Sequence, residues 1–91
     1  MSVYLKDPAA SLDYTIDWGA GYLGLERIAG SSWSIEPAGE LSIVSSSANE
    51  TMTSVTLTGG IAGTVYRVTN HVTLTDARED ERAITLRVEQ R

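Results

Sequence analysis

Across residues 64–75, Tyr66, Val68, Val72 and Leu74 fall on one parity, while Arg67, Thr69, His71 and Thr73 fall on the other. A period of two belongs to a strand with one face on a core and the other in water. Slipping such a strand by one residue would turn its whole apolar set to solvent, so the register is strongly specified. The same alternation returns near the C-terminus, with Ile84, Leu86 and Val88 against Thr85, Arg87 and Glu89. Between the two runs, residues 76–81 are all polar except Ala77, which suits a hairpin connection. Residues 65–75 and 83–89 therefore read as an antiparallel pair.

The upstream half carries shorter versions of this signal. Leu12, Tyr14, Ile16 and Trp18 alternate with Asp13, Thr15 and Asp17, giving a first strand that stops at a Gly-rich turn. Residues 23–29 read as a weaker second strand, 32–35 around Trp33 as a third, and 41–44 as a fourth after the turn 36–39. The polar stretch 45–50 reads as a loop and 51–58 as a fifth strand, with Gly59, Gly60 and Gly63 leading into the long sixth. About seven short strands with turn signals every 8–12 residues are the spacing of an immunoglobulin-like β-sandwich, although pattern alone also admits a barrel. Residues 1–10 show no partner pattern and read as an extended N-terminal arm, with residues 11–91 as the sandwich domain.

Composition narrows what such a domain can do. With 91 residues and no cysteine, the chain makes one small core without disulfide or thiolate–metal support. The net charge is −5, and Lys6, Arg27, Arg67, Arg78, Arg82, Arg87 and Arg91 are scattered among acids. Nucleic acid, whose phosphates call for clustered cations, is therefore not an expected partner. No apolar run reaches the roughly 18 residues that a spanning helix needs, so no membrane is expected. The first twelve residues carry Lys6, Asp7 and Pro8 where a signal peptide would be apolar, which points to synthesis in a cytoplasm.

Catalytic groups are sparse. His71, the sole histidine, lies on the polar parity of the long strand and reads as solvated or bonded to a neighbour. Asp76, Glu79, Asp80 and Glu81 match no calcium-loop spacing and enclose Arg78, so a solvated hairpin tip is the better reading. Asp13 and Asp17 stand about 13 Å apart along one strand, too far for a glycosidase pair. Gly59, Gly60 and Gly63 lack the following helix and lysine of a phosphate loop. Asn49-Glu50-Thr51 fits a glycosylation sequon, which without a secretion signal reads as chance. No catalytic, cofactor or metal residue is expected, and the chain reads as a non-enzyme. Trp33 reads as a core anchor, and Tyr66 as a ring packed inward with its hydroxyl reaching backbone. Trp18 and Tyr22 bracket the Gly-rich turn and suit a core lid or an exposed contact equally well.

Lys6-Asp7-Pro8, then Leu12-Asp13-Tyr14-Thr15-Ile16-Asp17-Trp18, resembles the opening of a family of small tailed-bacteriophage virion proteins, some labelled fibre–tail adaptor. The likeness continues through Ile28-Ala29-Gly30-Ser31-Ser32-Trp33, Gly59-Gly60, Gly63-Thr64-Val65-Tyr66 and Val68-Thr69-Asn70 to Arg78 and Arg82, covering roughly residues 5–89. The resemblance implies a non-enzymatic structural protein of the phage particle, a tail or head–tail adaptor docking fibre or connector proteins. It also implies residence in the virion and homo-oligomers in the assembled particle. A capsid decoration protein is the alternative within the same class, and a carbohydrate-binding module using Trp18 and Tyr22 is the alternative from another. Protein contact is expected at Lys6, Asp7 and Pro8 of the arm and at Trp18 and Tyr22.

Overall fold

In a computed structural model describing residues 3–19 and 26–90, the chain is all-β, with no helix among the described residues. Its strands are β1 (Val3–Lys6), β2 (Ser11–Asp17), β3 (Ile28–Glu36), β4 (Leu41–Ala48), β5 (Met52–Gly59), β6 (Val65–Leu74) and β7 (Glu79–Val88). They form a four-stranded sheet in the order β1-β7-β6-β3 and a three-stranded sheet in the order β2-β5-β4. The inner faces pack as a β-sandwich, as the alternation requires. The long hairpin β6–β7 runs in continuous register from Val65↔Arg87 to Thr73↔Glu79, which places Tyr66, Val68, Val72 and Leu74 inward.

Several boundaries differ from the sequence expectation. Residues 3–6 of the expected arm are extended but not free: β1 pairs with β7, and it does so in parallel, an exception to the antiparallel scheme. The expected strands 23–29 and 32–35 give way to one strand, β3, with a bulge between Ile28 and Gly30; residues 20–25 lie outside the described residues. Most of the expected loop 45–50 is strand, because Ser45, Ser46, Ser47 and Ala48 pair with β5 beyond a bulge at Ile43/Ser45. The 76–81 turn is also shorter, since β7 begins at Glu79 and Leu74 accepts its closing bonds from Ala77 at 2.9 Å while donating to Arg78 at 2.7 Å.

The core divides into two clusters. The larger joins Leu41, Val55, Leu57, Tyr66, Val68, Ile84, Leu86 and Val88, with Tyr14, Trp33 and Ile35 packed against it. The smaller joins Trp18, Val72 and Leu74, flanked by Ile16 and Ile28. Between them lies a buried polar layer. Asn70 Oδ1 accepts from Trp18 Nε1 at 2.9 Å and from Thr53 Oγ1 at 2.7 Å, and its amide nitrogen donates to Ser31 Oγ and the Ser32 carbonyl. Tyr66 meets its expectation: the ring is buried and its hydroxyl accepts from the Ile61 N–H at 3.0 Å.

Candidate protein-contact surface

Two open sheets have four edges, and each offers unpaired backbone groups that another chain could take up. β2 carries Asp13 and Asp17, β3 carries a bulge and Glu36, and β4 carries a bulge and a serine run. Charges and bulges of this kind discourage strand addition. β1 has neither. It is Val3-Tyr4-Leu5 followed by Lys6, and among the described residues its protection is its shortness.

Lys6 explains why this edge is uncharged. Its side chain points inward, fully buried, and Nζ donates to the Gly59 carbonyl at 2.7 Å and the Asp7 carbonyl at 2.9 Å. The long stem thus ties the edge of one sheet to the end of β5 in the other. Burial pulls the Lys6 ammonium below its ordinary range, with nearby Asp7 opposing. Gly59 receives that bond with φ +82°, and a Cβ there would run into the Glu40 carbonyl oxygen, so glycine is required. Asp7 and Pro8 shape the turn into β2: Asp7 Oδ1 accepts from Ala9 N–H at 2.8 Å, and Ala10 N–H donates to the Asp7 carbonyl at 3.0 Å. Both are half-buried.

Of the other expected contact residues, Trp18 is wholly buried at 0% exposure, bonded to Asn70 and covered by the Arg82 guanidinium 4.5 Å from its ring centre. That burial decides between the two readings of Trp18 in favour of the core, and it removes the ring from any carbohydrate platform. Tyr22 lies outside the described residues.

Large exposed apolar residues lie instead on opposite margins of the sandwich, apart from Met52 at the start of central β5. On the β1/β2 side are Val3 (58% exposed), Tyr4, Leu5 (46%) and Leu12; Ile61 and Val65 are exposed at the start of β6, where Arg87 of β7 stands between Val65 and Leu5. Tyr4 closes that side by an edge-to-face contact with Tyr14, ring centres 5.3 Å apart. On the β3/β4 side are Ile43 and Val44; Ile43 pairs with buried Leu57 yet remains 37% exposed, because the sandwich is open along β4. Sequence reasoning missed Val3, Tyr4 and Leu5 since three residues are too few to show a period. The available signal was their type, all strand formers.

The outer face of the four-stranded sheet is polar and holds the histidine. His71 Nε2 lies 2.7 Å from Glu79 and Nδ1 lies 3.1 Å from Glu81, in an open depression also lined by Arg67 and Asp80. Bonds to Glu79 and Glu81 raise the imidazole above its ordinary range against slight desolvation. At the hairpin tip, Asp76 accepts the Arg78 backbone N–H at 3.0 Å and its Nε at 2.5 Å, which lowers the Asp76 carboxyl. Among the described residues no group of His, Asp and Glu is arranged to hold a metal ion.

No curated protein matches the chain. The family model described as podophage GP4 fiber-tail adaptor protein gp77 matches residues 6–87, from the buried lysine of β1 to the penultimate residue of β7. A match over nearly the whole sandwich shows that this chain belongs to that family of phage tail adaptors.

Proposed function

We propose that the chain is a non-enzymatic structural component of the virion that joins fibre and tail or connector proteins by surface contact. The observation that carries this reading is the exposure of apolar side chains on two opposite edges of the sandwich, Val3 and Leu5 on β1 and Ile43 and Val44 on β4. A joining protein needs two separate faces on a frame that holds its shape, whether one of them meets another copy of the chain or a different tail protein. The buried Asn70 layer and the Lys6 tie supply that rigidity, so Lys6 and Trp18 act by positioning while Asp7 and Pro8 shape the turn beside the contact surface. The four-plus-three strand arrangement supports an immunoglobulin-like reading of the sandwich.

Mass spectrometry of purified particles tests the role. The adaptor reading expects the chain in mature virions at a tail ring's copy number, and Val44→Asp folded but absent from particles. Absence of the wild-type chain from virions would end the reading. Hundreds of copies per particle would instead indicate capsid decoration.

A further inference from the structure

We propose that the β1 edge is occupied by β1 of a second copy of this chain, running antiparallel about a two-fold axis and joining two four-stranded sheets into one. The backbone directions on β1 define how this pairing would work. The Lys6 carbonyl accepts from the Glu89 N–H at 2.9 Å, on the β7 side. The N–H and C=O of one residue point the same way, and successive residues alternate. Tyr4 therefore faces β7 as Lys6 does, and Val3 and Leu5 turn their backbone groups outward, where no other described strand lies.

With the axis through Tyr4, Val3 lies opposite the second copy's Leu5, and Leu5 opposite its Val3. Each of these pairs exchanges both of its backbone bonds, so every outward group on Val3 and Leu5 is satisfied. The side chains agree with this register. Val3 and Leu5 both project from the outer face, on the side of their partners Thr85 and Arg87, so each apolar cross-strand pair buries two exposed side chains. Tyr4 projects inward, which sets the two copies' Tyr4 rings side by side, each already against its own Tyr14.

Charge selects this edge for self-contact. The chain carries a net charge of −5, so most surfaces of two copies repel. The β2 edge would bring Asp13 and Asp17 against their own copies, whereas β1 brings together only Val, Tyr and Leu. Arg87, the nearest cation on the outer face, is paired with Glu89 at 2.8 Å one strand further in. A four-residue edge is short beside the roughly 1,200 Å² or more of a standard stable interface. The pairing is accordingly weak in dilute solution and favoured where assembly holds copies close together.

Sedimentation velocity of the isolated chain, from low micromolar to near-millimolar concentration, tests the pairing independently of any role in the particle. The expected result is a concentration-dependent monomer–dimer equilibrium. Leu5→Lys, with an unchanged far-ultraviolet circular dichroism spectrum, weakens it by about tenfold or more. The register has its own test, because the chain lacks cysteine. At a non-hydrogen-bonded antiparallel pair the Cα atoms lie about 4.5 Å apart, within disulfide reach. Tyr4→Cys should therefore yield a covalent dimer on oxidation, whereas Ser45→Cys on β4 should not. A chain that stays monomeric at every concentration overturns the proposal, as does a dimer that Leu5→Lys leaves intact and Tyr4→Cys does not trap. Should Leu5→Lys fail to fold, the Tyr4→Cys and Ser45→Cys pair decides alone. A virion role can survive this failure, and the dimer can survive the chain's absence from particles.

Discussion

Asn70 sits on the apolar parity of β6, between Val68 and Val72, where a polar side chain would ordinarily be costly. Its amide group uses both lone pairs and both N–H groups, bonding to Trp18, Thr53, Ser31 and Ser32 across both sheets. Asn70→Leu removes the 2.9 Å bond of Trp18 Nε1, keeps its longer 3.3 Å contact to Thr53 Oγ1, and takes the acceptor from the buried Thr53 hydroxyl as well. Chemical denaturation should show a loss of about 2–4 kcal/mol, concentrated in a lower midpoint. His71 behaves differently because it is on the surface. A neutral imidazole has one N–H and cannot donate to two carboxylates, so the contacts with Glu79 and Glu81 call for the protonated ring. Its folded pKa is raised, so its contribution to stability is complete below about 6.5 and lost as pH rises through the higher folded value. NMR titration should place His71 above the ordinary histidine range. Glu79→Gln with Glu81→Gln should return it there, and an unmoved midpoint would contradict the assignment.

At the scale of the element, the β6–β7 hairpin is closed by Thr75, Asp76 and Ala77, with Ala77 at φ +73°. Three-residue hairpin loops place a left-handed residue last, normally glycine, and a Cβ there costs about 1–2 kcal/mol. Part of that relief is offset by the greater freedom of glycine in the unfolded chain. Ala77→Gly should thus stabilise the domain by about 0.5–1 kcal/mol, read as a higher denaturation midpoint with the slope unchanged. The hairpin as a whole was legible in the sequence because ten-residue strands display several periods. β3 was less so: its pattern is broken by a bulge at Ile28/Gly30, where two residues oppose one and parity reverses. β4 was cut short for a related reason. Ser45, Ser46 and Ser47 look like a loop by composition, and only pairing with β5 holds them as strand.

For the whole molecule, an elongated sandwich of 43 × 21 × 18 Å, stability depends on links between sheets as well as on the two apolar clusters. Lys6 is such a link near one end and Asn70 near the middle. Lys6→Ala removes a buried stem and both of its charge-assisted bonds, including the one to Gly59 across the sandwich. A loss of about 2–3 kcal/mol is expected in thermal or chemical unfolding. Lys6→Met, which retains most of the stem, should lose less; equal losses would show that packing contributes nothing. Period-two alternation, a local property of the chain, was sufficient by itself to determine an all-β fold, the facing of β2, β6 and β7, and the inward placement of Tyr66. Charge and the absence of cysteine likewise followed from the residues alone. Which strands became edges, that β1 joins β7 in parallel, and that Lys6 and Trp18 are buried rather than offered to a partner were decided only by tertiary structure. Each depends on what lies across the sandwich from a residue, and partners such as Lys6 and Gly59, or Trp18 and Asn70, are too distant along the chain for any local pattern to register.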